Sequence, residues 1–270
     1  MLSCCRLRLV VLLMSSPAVA GYYATPTQYA SRRAGATRTR PLIQSAKVIP
    51  AANVILGCAL MNRAARLPMM GPQSAVLFST GLLCLLNLAV TDNARYASAK
   101  RAVAVYQGKA SLPGAAVQQR ELATLWYTVC RVQVFGQLAG LLLMVRSVSP
   151  AGTLRGAAAF MLANVLFFLM GAGKAKHDDE GRPAPMKPAL QQFVLTTDCV
   201  LLAAALLGAL LHSSLVGALG AYLFSAGCLI GAVEGVPKTA AAIKGLVLSR
   251  ELEQRLDNSR ESSCGPWCRP

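Results

Sequence analysis

The sequence predicts an all-α, multi-pass membrane protein with about five transmembrane helices and one basic amphipathic helix. Three observations carry this. Hydrophobic residues make up 54% of the 270-residue chain and mean hydropathy is +0.47. Charged residues are only 14%, against about 25% in an ordinary soluble domain. Five apolar runs each approach the ~20 residues that a helix needs to cross hydrocarbon. The net charge of +16 has the sign of a nucleic-acid binder, but the hydropathy does not fit one. It is also too high for a disordered chain. The partners implied are a lipid bilayer and anionic headgroups, not nucleic acid.

The amino-terminal region is basic and acid-free. Residues 1–91 hold nine Lys or Arg side chains, and the first acid is Asp92. Residues 1–20 form a candidate signal peptide: Arg6 and Arg8, an apolar stretch from Leu9 to Met14, then Ala18-Val19-Ala20 before Gly21. Residues 21–47 form a transit-like leader rich in Arg, Ser and Thr. Signal followed by transit sequence is the addressing logic of a complex plastid. A mitochondrial presequence, or no address, is the competing reading.

Residues 51–67, bracketed by Pro50 and Pro68, read as a basic amphipathic helix in the headgroup region. Val54, Ile55, Leu56 and Leu60 would insert, and Arg63 and Arg66 would meet anionic headgroups. The competing reading is a lead-in to the first span.

A membrane domain over 74–233 follows. Its runs are Ser74–Val90, Leu122–Val145, Leu154–Ala172, Phe193–Leu211 and Leu215–Val233. Backbone groups in lipid must be satisfied internally, so these runs are helices. With strict alternation, the 92–120 and 173–190 loops and the 234–270 tail share one face. That face holds fifteen Lys or Arg side chains against four on the other. This positive-inside bias directs the carboxyl terminus to the cytosolic or stromal side. The polar tail contains a short charged helix around Leu246–Arg255.

Two ionisable residues interrupt the apolar runs. Arg131 lies in the second and Asp198 in the fourth. Intramembrane charge marks a proton, ion or solute path, with Arg131 as a counter-charge for Asp198. Against that, Asp198 stands six residues into its run, where a carboxylate orients a helix near the surface. That structural reading is the favoured one. Gly136 and Gly140, and Gly227, Gly231 and Gly235, recur every four residues, the spacing of helix-association faces. These faces predict self-association.

Catalytic and metal signals are weak. Cys264-Gly-Pro-Trp-Cys268 has three residues between its sulfurs, not the two of a redox motif. Cys58, Cys84, Cys130, Cys199 and Cys228 read as small packing residues. His177-Asp178-Asp179-Glu180 reads as a solvated acidic turn, since four consecutive side chains diverge. His212 is the only other histidine. No cofactor, metal site or catalytic residue is expected, and the protein reads as non-enzymatic.

Two segments resemble the peroxin-11 family of peroxisomal membrane-remodelling proteins. One is Leu88-Ala-Val-Thr-Asp92-Asn93-Ala-Arg-Tyr96-Ala-Ser-Ala-Lys100. It is similar to that family's apolar helix ending in Asp-Asn, with an aromatic four residues after the Asp. The other is Phe193–Ile230, with Asp198, Gly217, Gly220 and Ser225. Arg63-x-x-Arg66-Leu67 resembles the family's membrane-inserting basic segment. The resemblance implies elongation and fission of peroxisomes, with fission machinery, including dynamin-like GTPases, as partners. The alternative is a plastid thylakoid or envelope protein acting as assembly factor, structural subunit or small-solute transporter.

Overall fold

The computed structural model describes residues 40–68, 71–106, 114–178 and 180–263. The candidate signal peptide, most of the leader, Asp179 and the Cys264–Cys268 segment lie outside the described residues. The helices are α1 (Arg40–Ala64), α2 (Pro72–Leu83), α3 (Ala89–Tyr106), α4 (Gly114–Arg146) and α5 (Pro150–Leu169). A short α6 (Ala172–Ala175), α7 (Pro188–Leu210) and α8 (Leu215–Ser263) complete the chain. A π-helical turn, Cys84–Leu88, joins α2 to α3 into one rod. Five helices are long and apolar enough to cross a membrane: Pro72–Tyr106, Val117–Arg146, Pro150–Leu169, Pro188–Leu210 and Leu215–Gly245.

Local chemistry sets the ends. Pro150 and Pro188 occupy first-turn positions, where the missing N–H costs nothing. The Ser149 hydroxyl accepts the Gly152 N–H at 3.1 Å and caps α5. Gly171 ends α5 with φ +90°, a left-handed turn that favours glycine.

Neighbouring spans pack antiparallel, α4 on α5, α5 on α7 and α7 on α8, while α8 returns alongside α2 and closes the ring. One half of the bundle is filled by an apolar core that includes Leu77, Leu141, Leu154, Phe160, Ala205 and Phe224. Large side chains on α7 and α8 such as Phe193, Leu210, Leu215 and Val233 point outward as a lipid-facing surface.

Three expectations need correction. The 92–120 segment is not a loop: 89–106 and 114–120 are helical, and Asp92 and Asn93 are buried. Alanines at 99 and 102 let α3 pack closely, and Asn53 and Arg95 partner Asp92, so a polar sequence stays inside the bundle. The charged helix of the tail is no separate element, because α8 runs unbroken to Ser263.

The third concerns 51–67. This segment does not lie on the bundle as a free wedge, for α1 packs against α2, α3 and α4. Val54, Leu56 and Leu60 are buried in the protein, and only Ile55 of the four apolar residues faces out. Arg63 donates from Nη1 to the carbonyls of Met144 (2.9 Å) and Val145 (2.7 Å), answering the carbonyl end of α4. Arg66 is exposed.

Candidate functional site: a polar cavity between the helices

A second apolar cluster, which includes Trp126, Val129, Cys130 and Phe167, packs beside the first, and the space between the helices is not wholly filled. A cavity of about 380 Å³ opens between α3, α4, α5, α7 and α8. Its apolar floor includes Leu83, Leu88 and Phe160, and its walls carry amides and charges. Exposed Glu234 and Lys238 on α8 stand at its mouth.

A connected network forms one wall. Arg95 Nη1 donates to Gln133 Oε1 at 2.7 Å. Gln133 Nε2 and Gln137 Nε2 both donate to Asn164 Oδ1, at 2.7 and 2.8 Å. Arg95 also lies 3.7 Å from Asp92 Oδ1 and stacks 5.1 Å from the Phe167 ring centroid. Asn53 Nδ2 donates to Asp92 Oδ2 at 3.4 Å, tying α1 to the network. Gln137 is 2% exposed, and its Oε1 has no partner among the described residues. That is an acceptor held ready inside an apolar bundle, where an unmet polar atom is costly.

The π turn positions the opposite wall. Asn87 Nδ2 donates to the Gly231 carbonyl at 2.6 Å. Thr239 Oγ1 donates to the Leu86 carbonyl at 2.6 Å. Thr91 Oγ1 donates to Asn87 Oδ1 at 2.9 Å. The wider turn re-aims one polar residue at the cavity and holds α8 against α2, a role π turns often fill.

Asp198 lines this cavity with Arg95, not with Arg131. Because α7 begins at Pro188, Asp198 stands ten residues along the helix, about 15 Å at 1.5 Å per residue. It is well inside the span rather than near its start, so the surface-orienting reading gives way. Arg131 is exposed and lies 5.6 Å from the Tyr127 ring centroid. Gln133 meets Asn164 and Trp126 packs on Phe167, so Arg131 is level with the last turns of α5.

The glycine faces are used within the chain. A Cβ on Gly136 would meet Ala163, and one on Gly140 would lie 2.6 Å from the Phe160 nitrogen. Gly227 faces Leu201, Gly231 faces Leu83, and Gly235 abuts the Leu86 carbonyl and Asn87. The expected self-association through these residues is therefore corrected: they let α4 approach α5 and α8 approach α2 and α7.

The 173–187 connection folds beside the cavity. Asp178 Oδ1 accepts the N–H groups of Glu180 (2.9 Å) and Arg182 (2.8 Å). Its Oδ2 accepts Arg182 Nε at 2.9 Å. These hydrogen bonds, the Arg182 backbone N–H foremost, hold the carboxyl below its ordinary range. His177 departs from the solvated-turn reading, being 2% exposed.

Gln133, Gln137 and Asn164 are the site residues that the sequence reading passed over. The signal was present: two amides four residues apart in the second apolar run, and a third in the next. Polar groups inside spans merit the same attention as charges. Comparison with family models, curated proteins and solved structures finds no match to this chain.

Proposed function

We propose that this multi-pass membrane protein binds a small, net-neutral polar solute in the cavity between its helices and carries it across the bilayer without catalysis. The observation that carries the reading is the Arg95–Gln133–Asn164–Gln137 network facing Asp198 inside the bundle. Its volume suits a small molecule. Arg95 and Lys238 are balanced by Asp198 and Glu234 among the lining side chains, and the amides add donors and acceptors. Such a lining favours a zwitterion or a neutral hydrogen-bonding solute over an ion of one sign. The cavity is partly open to the outside and is bordered by core side chains such as Leu83, Leu88 and Phe160.

The basic residues support an orientation with the 173–187 connection toward the cytosol or stroma. The leader supports an organelle membrane, that of a complex plastid in this reading. The peroxin-11-like reading rests on its sequence motifs alone, and the packing of α1 and the glycine faces within the bundle favours the solute reading over it.

Osmotic relaxation of proteoliposomes with glycine, betaine, urea and glycerol tests the proposal. At least one solute is expected to equilibrate faster than in protein-free vesicles, and Asp198→Asn and Gln137→Leu each to slow it severalfold. Fluxes equal to protein-free vesicles for all four, with wild-type protein that tubulates the vesicles, would favour membrane remodelling.

A further inference from the structure

A second cavity lies beside the first, at the level where α5 ends. It encloses about 400 Å³ between α3, the end of α5 and the 172–186 segment. Two buried ring nitrogens on its lining have no partner among the described residues, Trp126 Nε1 and His177 Nε2. Both side chains are more than nine-tenths buried, at 4% and 2% exposed. Leaving such atoms unmet is costly, and each has defined chemistry. Indole Nε1–H only donates. His177 Nδ1 donates to the Ala175 carbonyl at 2.6 Å, which leaves Nε2 of the neutral ring as an acceptor.

The ligand must therefore offer an acceptor and a donor together. Lys176 also lines this cavity and calls for negative charge, whereas Arg95 on the same lining is already engaged by Gln133 and Asp92. Asp178 lines it too, but its carboxylate is taken up by Arg182 and two backbone N–H groups. Phe167 and Phe168 supply an apolar wall.

We propose that this cavity binds a phosphate monoester group. A singly protonated monoester meets every requirement: P–OH donates to His177 Nε2, and the anionic oxygens accept from Trp126 Nε1 and the ammonium of Lys176. A phosphodiester has no P–OH and leaves His177 unmet. The source of that group is either a lipid headgroup such as that of phosphatidic acid or free phosphate, since the site lies at the carboxyl end of α5, one end of a candidate span. The two cavities are neighbours and share Arg95, Phe167, Phe168 and Met186 on their linings.

The chain has two tryptophans, so Trp267→Phe makes Trp126 the sole reporter. Full-length protein in detergent micelles is titrated with dihexanoyl phosphatidic acid, inorganic phosphate, dihexanoyl phosphatidylcholine and dihexanoylglycerol, following Trp126 fluorescence. A saturable change with phosphatidic acid is expected, and a weaker or absent one with the diester and the uncharged glyceride. A response to inorganic phosphate as well assigns the site to the phosphate group alone; a response to the lipid only adds the glycerol backbone. His177→Phe and Lys176→Gln are each expected to weaken binding about tenfold or more, as for loss of a hydrogen bond to a charged group. If His177→Phe loses helical circular dichroism, His177→Asn and Lys176→Gln decide. No saturable response to phosphatidic acid or to inorganic phosphate, equal binding of the diester or glyceride, or unchanged affinity in the folded variants would overturn the proposal.

Discussion

Asn164 is the hinge of the amide network, because its one oxygen accepts from both Gln133 and Gln137. Replacing it with leucine removes the acceptor and strands two amide donors. Unmet buried donors cost about 1–3 kcal/mol each, and measured values inside membranes lie toward the low end. Asn164→Leu should therefore lower the melting temperature in detergent, while Asn164→Asp, which keeps the acceptor, should lower it less. Equal melting of Asn164→Leu and wild type would refute the network's structural role. Asp178 gives a pH prediction. Its folded pKa is depressed, chiefly by the Arg182 backbone N–H. The loop's contribution to stability is then full above the ordinary carboxylate value of about 3.9 and is lost as pH falls through the lower folded value. Arg182→Ala removes the side-chain part of this, so the 176–184 segment should open at a higher pH. Hydrogen exchange of its amides against pH reads the change.

The helices were legible in the sequence where hydropathy was uniform, and less so where polar residues are buried. The five apolar runs mark the five long helices, but their ends shift. α7 starts at Pro188 rather than near Phe193, because leading Pro-Ala-Leu-Gln-Gln is helical though not apolar throughout. α3 was invisible to hydropathy: Asp92, Asn93 and Arg95 look like a loop and are held inside by partners on α1 and α4. No window average reports a partner 39 residues away. The glycines were legible as close-packing positions but not as to whose helix they approach. Gly140 tests the answer. A side chain there would press on the Phe160 backbone, and overpacking of this kind costs typically about 1–3 kcal/mol. Gly140→Val should destabilise the monomer and leave its mass by light scattering unchanged. A dimer lost on Gly140→Val would restore the self-association reading.

Across the molecule, alternating spans put the α4–α5 turn and the α5–α7 connection at opposite ends of the bundle. In a cysteine-free background, Ser147→Cys and Lys187→Cys should react with a membrane-impermeant thiol reagent from opposite faces of sealed vesicles. Reaction of both from one face would remove the five-crossing arrangement. The cavity is lined by amides and ionisable side chains, Arg95, Gln133, Gln137, Asn164 and Asp198 among them. That lining ties the composition to the proposed work: a chain this apolar keeps amides and ionisable groups inside where they pair with one another or face a water-reachable space. The most direct measurement is the labelling of Asp198→Cys in the same cysteine-free, reconstituted protein. It should react with the impermeant reagent from the face that labels Lys187→Cys, not from the other, and the transported solute should slow the reaction. Silence of Asp198→Cys from both faces, while Lys187→Cys reacts normally, would mean a sealed interior and contradict a solute cavity.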